Sequence, residues 1–336
     1  MRRPSAATAA VCALALVPLA ATALSACTSA GPTTPDGGSA SSPTSPAGES
    51  GTAFAHPLSA HQTVMVTYCN HQHARISEPD ALHGPAPAAV YVHGGSWISG
   101  DLHTGGFIIN SVGPDLADQG FLVASLDYHL GPQTAWPAQI EDVKCAIRYL
   151  RANARDLNID PNEIGAWGQS AGGHLVALLG TAGPSAGWDV GAYSDESSKV
   201  QAVVDMAGPS DLLSLGDQGA SMVVQENFIS LLGDVAPQRL GAALRDASPV
   251  TYVAPGDPPF LLLHSDNDSI VYPQQSQELA WDLSANNVPN QLIMVHGAGH
   301  EFDQTGGSPG PADIARIIVD FFAQTLILHR TPGAQG

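Results

Sequence analysis

Gly168-Gln169-Ser170-Ala171-Gly172 spells G-x-S-x-G, with Gly173-His174 directly behind it. That spacing suits a serine forced onto a sharp turn between a strand and a helix. Such a turn strains the backbone, and glycines two residues before and two after relieve the crowding. The result is an exposed Oγ above a helix N-terminus, where the dipole favours developing negative charge. Ile164-Gly165-Ala166-Trp167 ahead of it is short and mostly apolar, like a buried strand, and Ala171 to Gly180 is rich in helix formers.

Serine Oγ is a weak nucleophile and needs a base, and histidine titrates near working pH. Downstream of Ser170 stand His174, His264, His296, His300 and His329. His300 lies in Gly297-Ala298-Gly299-His300-Glu301-Phe302, a glycine-rich stretch behind the last apolar run, which lets an imidazole reach over the serine. His174 sits one helical turn past Ser170 and points elsewhere, His264 ends a strand and packs, and His296 reads as a packed or supporting residue. Asp266 and Asp268 both offer the acid that orients the imidazole. Oxyanion donors are expected from the N–H of Ala171 and from His93-Gly94-Gly95-Ser96-Trp97, with Gly95 and Ser96 donating and Gly94 shaping the turn. The chemistry is acyl transfer through a covalent serine ester, with no metal or organic cofactor called for. Cys69-Asn70-His71-Gln72-His73 holds three potential metal ligands, but no second cluster answers it, so it reads as a polar surface loop.

Elements able to carry these side chains alternate along the chain, which points to a mainly parallel sheet with helices on both faces. Strands are expected at Gln62–Tyr68, Ala88–Val92, Phe121–Leu126, the elbow strand, Val200–Met206, Phe260–His264 and Gln291–Val295. Pro137 to Asp156 reads as an amphipathic helix with Ile140, Val143, Ile147 and Leu150 on one stripe. Gln274–Asn286 and Ala312–Leu326 are the closing helices. Ser210 to Ala247 breaks the alternation as one or two short helices, a partial cap over the C-terminal strand edge. Each candidate residue follows a strand, at the edge where open α/β sheets bind ligands.

Residues 1–26 read as a lipoprotein signal peptide: Arg2 and Arg3, then the apolar Val11–Leu24, then Leu24-Ser25-Ala26-Cys27, where Cys27 would be lipidated after cleavage. Thr28 to Ala53 holds no bulky apolar residue, so residues 27–55 are expected to form a disordered Ser/Thr/Pro/Gly tether. Residues 56–336 then form one domain, with the cap at about 210–247. The localisation implied is the outer face of a bacterial membrane, held by the lipid on Cys27. The net charge is −19, and Lys144 and Lys199 are the only lysines. This argues against nucleic acid as a partner. Of the four cysteines, Cys69 and Cys145 remain for a possible disulfide once Cys12 leaves and Cys27 is lipidated.

His93-Gly94-Gly95-Ser96-Trp97 with Gly100-Asp101, Asp127-Tyr128-His129-Leu130, Pro137 to Val143, and Leu150-Arg151-Ala152-Asn153-Ala154 through Ile159-Asp160-Pro161 to His174 together resemble the carboxylesterase branch that contains the hormone-sensitive-lipase-like enzymes. Within it the chain is most similar to the bifunctional feruloyl/acetyl-xylan esterase type. The likeness runs from about His56 to Phe322 and is densest between Val92 and Gly180. It implies the α/β-hydrolase fold, with an eight-stranded, mainly parallel sheet and a small cap. It places the nucleophile on Ser170, the acid on Asp268 rather than Asp266, the base on His300, and the oxyanion hole on Gly95, Ser96 and Ala171.

Three residues depart from the pattern. Ser96 replaces a frequent third glycine, Ser265 replaces a glycine beside the acid, and Glu301 replaces the glycine after the histidine, where a carboxylate would favour the charged imidazole. The substrate implied is a small-molecule or glycan ester with a small to medium acyl group. Trp97, Tyr128 and Trp136 are candidates either for the pocket wall or for core packing. The H-G-G-x-W form also resembles kynurenine formamidase-like hydrolases, which keeps amide cleavage open. A non-catalytic binding lipoprotein on the same fold is the reading from another class.

Overall fold

The computed structural model describes residues 63–79, 84–218, 222–302 and 306–329. The leader, Cys27 and the tether lie outside the described residues. Eight strands pair in the order β1-β2-β4-β3-β5-β6-β7-β8. They are β1 (Thr63–Thr67), β2 (His73–Ser77), β3 (Ala86–Val92), β4 (Leu122–Leu126), β5 (Ile159–Gln169), β6 (Ala202–Met206), β7 (Phe260–Ser265) and β8 (Asn290–Val295). β1 and β2 pair antiparallel and β2 joins β4 antiparallel, while every pairing from β4 to β8 is parallel. The sheet is therefore mixed at one edge and parallel elsewhere, as expected.

Alternation along the strands feeds two cores. Val90 and Val92 of β3 join one apolar cluster with the helices α2 (Ala138–Ala152), α3 (Ala171–Thr181) and α7 (Gln274–Ala285). Ala89 and Tyr91 of the same strand join the other, with α1 (Phe107–Asp118) and α8 (Pro311–Phe322). β4, β6 and β7 are buried along their whole length, as parallel strands covered on both faces must be.

Four expectations need correction. Cys69–His73, read as a polar surface loop, opens with a short 3-10 turn at Cys69–His71 and ends on the first residue of strand β2, which was not expected. Helix α1 was not expected, because it carries Gly113 and Pro114 and has no side-chain cap. The cap holds three helices rather than one or two: α4 (Leu212–Asp217), α5 (Met222–Leu232) and α6 (Pro237–Asp246). Finally, α2 is not amphipathic in its burial. Lys144 and Arg148, flanking the apolar stripe, are buried as well. The segment between α3 and β6 folds over them. Lys144 Nζ donates to the Ala182 carbonyl (2.7 Å) and reaches Asp189 (3.3 Å), and Arg148 Nη1 donates to the same carboxylate (3.1 Å).

Two ties hold the site-bearing elements. Cys69 and Cys145 form a disulfide with a Cα–Cα distance of 6.1 Å, fastening the 3-10 turn to α2. The buried His174 of α3 accepts from Trp97 Nε1 at Nδ1 (3.1 Å) and donates from Nε2 to the Ala247 carbonyl (2.6 Å). An indole only donates and a carbonyl only accepts, so this imidazole is the neutral Nε2–H tautomer. Burial lowers its pKa from 6.5 to about 4, against the opposing pull of the Ala247 carbonyl.

Each tie yields a prediction. A depressed histidine pKa contributes stability that is complete above pH 6.5 and is lost as pH falls toward about 4. Thermal unfolding should weaken across that window, and NMR at pH 6 should find His174 neutral; a protonated ring there contradicts the assignment. The disulfide closes a loop of 76 residues. Replacing both cysteines by alanine should cost about 2–4 kcal/mol of unfolding free energy. An unchanged Tm would show that the bond constrains nothing.

Candidate active site

Between β5 and α3, Ser170 adopts φ 57 and ψ −120, a conformation that L residues rarely take. The surrounding glycines are steric requirements. A Cβ on Gly172 would lie 2.0 Å from the Val92 carbonyl oxygen, and one on Gly168 would lie 2.5 Å from the Gly172 backbone. The N-terminus of α3 therefore presses directly on the end of β3. The loop leaving β3 runs against the same turn, since a Cβ on Gly94 would meet Gln169 O at 3.0 Å and Ser170 Cβ at 3.5 Å. Gly95 at φ +105 and Ser96 at φ 56 turn this loop back, closed by N–H donation from Ile98 and Ser99 to the Gly95 carbonyl. Beneath it, Tyr128 donates to the His93 carbonyl (3.0 Å) and stacks on the His93 ring.

On the opposite wall, His300 Nδ1 lies 2.6 Å from Asp268 Oδ2. The carboxylate accepts the hydrogen bond from Nδ1–H, which leaves Nε2 as the basic nitrogen. Asp268 Oδ1 accepts from the N–H groups of Ile270 (2.8 Å) and Val271 (3.0 Å). Burial alone would raise this carboxyl. Hydrogen bonds from His264 and His300, the His300 charge and the Ile270 N–H outweigh burial and hold it well below the usual carboxylate range. Asp266, the other candidate, pairs with His296 at 2.7 Å on the surface, where the two side chains are 44% and 71% exposed. The structure thus brings Asp268, not Asp266, to His300. It also puts His296 in solvent rather than in a packed position.

Ser170 and His300 both line one open cleft of about 370 Å³, together with Gly94, Gly95, Ser96, Tyr91 and Glu301. Ala171 begins α3 beside it, so its N–H lies at the helix N-terminus. Trp97, Tyr128 and Trp136 do not line the cleft and serve as packing. Trp97 meets His174 and Phe228, and Trp136 meets His174 and Trp188. Among the described residues, none of α4, α5 or α6 borders the cleft. No group of three or more His, Cys, Asp or Glu side chains among them is placed to hold a metal. Cys69, in the motif with three potential ligands, is taken up by the disulfide.

Three supporting residues escaped sequence reasoning. His264 does more than pack: its Nε2 faces two acceptors, Val271 O (2.8 Å) and Asp268 Oδ2 (3.4 Å), while Nδ1 meets Ser276 Oγ (2.7 Å). It is a second imidazole on the acid. Ser265, a departure from the family pattern, donates its hydroxyl to the Ala298 carbonyl and so ties the acid turn to the His300 loop. Gln169, beside the serine, donates to the His300 carbonyl (2.9 Å) and to the Glu301 carboxylate (3.2 Å). The last contact gives Glu301 a partner other than the imidazole. The local signal for all three was closeness in sequence: Gln169 adjoins Ser170, and His264 and Ser265 lie within four residues of Asp268.

The chain is similar to known proteins. The BD-FAE family model matches residues 75–283. The chain is 33% identical over 253 residues to the esterase LipC of Mycobacterium tuberculosis, covering 74% of this chain and 60% of LipC. The chain thus spans about three fifths of that relative's length. Among solved structures, a truncated carbohydrate esterase from gut microbiota superposes with a TM-score of 0.66 at 28% identity, over 81% of this chain and 99% of that one. The Thermogutta terrifontis esterase Est2 superposes with a TM-score of 0.64 over 82% of this chain and 95% of its own; at 22% identity it speaks to the fold alone. With a family model spanning its central sheet and a relative above 30% identity over three quarters of its length, the chain belongs to the BD-FAE family of α/β-hydrolases.

Proposed function

We propose that the protein is a carboxylesterase that works through a covalent acyl-serine. The observation that carries this reading is the 2.6 Å contact between His300 Nδ1 and Asp268, with His300 and a strained Ser170 on one cleft. His300 Nε2 takes the Ser170 proton as Oγ adds to the ester carbonyl, and then gives it to the leaving alcohol. Asp268 keeps the imidazole in the right tautomer and stabilises its cationic form. The N–H groups of Gly95, Ser96 and Ala171 receive the developing oxyanion, each donor contributing about 3 kcal/mol to the transition state. Water, deprotonated by His300, then releases the acid.

The open cleft favours small to medium acyl groups on an alcohol that extends into solvent. A glycan ester fits that description, and the likeness to a carbohydrate esterase supports it. The disulfide supports an exported protein, and with the sequence before it a lipid anchor on Cys27.

Ser170→Ala should abolish hydrolysis of p-nitrophenyl acetate and labelling by a fluorophosphonate. Asp268→Asn should lower kcat by roughly 10³–10⁴-fold. Asp266→Asn should stay within about threefold, as expected for a surface pair. Folded wild-type protein that neither labels nor hydrolyses any ester would sink the enzyme reading. Turnover of aryl formamides above esters would favour amide cleavage instead. Loss of activity in Asp266→Asn alone would overturn the choice of acid.

A further inference from the structure

Among the described residues that line the Ser170 cleft, Glu301 is the only carboxylate, and no lysine or arginine joins it. Its side chain is exposed yet held in place. Gln169, buried and next to Ser170, gives both hydrogens of its amide to this loop: one to the His300 carbonyl (2.9 Å) and one to Glu301 Oε2 (3.2 Å). On the far side, Phe302 is buried and its N–H donates to the Gly299 carbonyl (3.4 Å). The carboxylate is thus tied to the residue beside the nucleophile. Its other oxygen, Oε1, accepts from none of the described residues and stays open to a ligand.

The charge of Glu301 reaches the cleft wall. Burial first, and the Glu301 charge second, push the phenol of Tyr91 up, and Tyr91 lines the same cleft. A cleft of about 370 Å³ is roughly 9 Å across, and two unit charges that far apart change an equilibrium roughly 5- to 20-fold at an effective dielectric constant of about 20–40. The net charge of −19 adds a field of the same sign. A substrate cation is therefore drawn in, and a substrate anion meets repulsion with no lining lysine or arginine to offset it.

We propose that Glu301 selects the substrate by charge: the cleft takes esters carrying an ammonium group beside the ester ahead of neutral ones, and turns away esters carrying an anion. The proposal rests on the esterase reading of this cleft and names a substrate class within it. Among glycan esters it favours unacetylated amino sugars over uronic acids. Glu301 takes no part in proton transfer; it acts on the bound substrate through its charge.

Three acetate esters of similar size test it: acetylcholine, its uncharged carbon counterpart 3,3-dimethylbutyl acetate, and acetyl isethionate, which ends in a sulfonate. kcat/KM is measured for each with the full chain and with Glu301→Gln, which removes the charge and keeps an oxygen for the Gln169 amide. Dividing the wild-type ratios by those of the variant cancels the different leaving groups. Acetylcholine should then gain roughly 5- to 20-fold over the neutral ester, chiefly through KM, and acetyl isethionate should lose a similar factor. Salt at about 0.5 M should narrow both in the wild type. Glu301→Asp should keep the order and Glu301→Lys should reverse it. Ratios that are the same in wild type and Glu301→Gln, or an order unchanged in Glu301→Lys, would overturn the proposal and leave the esterase reading standing, provided the neutral ester is hydrolysed. Folded protein that hydrolyses none of the three and takes no fluorophosphonate would bring down both.

Discussion

The Val92 carbonyl oxygen occupies the place that a side chain on Gly172 would need. That contact fixes how closely α3 approaches the end of β3, and Val92 is paired in register with Gly168 of β5. Three chain segments meet there with no spare room. The Ser170 turn is strained because the approach is close, and such a conformation costs on the order of 1–3 kcal/mol. The buried strand and helix on either side offset it. The loop of Gly94, Gly95 and Ser96 leaves β3 one residue later and lies on the same turn through Gly94. Gln169, the last residue of β5, holds the loop that carries His300. The Ser170 turn, the Gly94–Ser96 loop and the His300 loop are thus referred to a single steric contact.

What was legible in the sequence follows from that physics. Glycines at 168 and 172 announce the turn because no other residue fits, so the elbow and its serine could be read locally. The parallel strands could be read because burial on both faces makes continuous apolar runs such as Phe260–Ser265. His300 could be singled out by its glycine-rich loop. Asp268 could not be separated from Asp266 by local chemistry, since both are aspartates in one turn; only the family resemblance chose. The pairing with His300 that separates them spans 32 residues. Helix α1 hid behind its glycine and proline. The burial of Lys144 and Arg148 depended on a distant segment folding back over α2.

Some charges of this acidic chain are matched locally where they leave solvent. Asp268 has two imidazoles and two backbone N–H groups. Asp189 answers both Lys144 and Arg148. Breaking one partner of such a set leaves the other stranded in low dielectric, which is costlier than losing a surface pair. Asp205 of β6, behind the elbow, accepts from Gly208 N–H through one oxygen only, and burial raises its pKa to about 6. Exclusion of water behind the elbow therefore works against the charge on Asp205.

Consider the hydrogen bond from His174 to Ala247, at the point where the last cap helix ends. The same region is moored again by the Trp136 N–H on the Leu231 carbonyl and by the stacking of Trp97 near Phe228. Helices α4 to α6 thereby act as a strut bracing α3, the helix that starts at Ser170, and among the described residues none of them borders the cleft. Loosening this insertion is then felt at the Ser170 turn through His174, from a distance and without any contact of its own with the cleft.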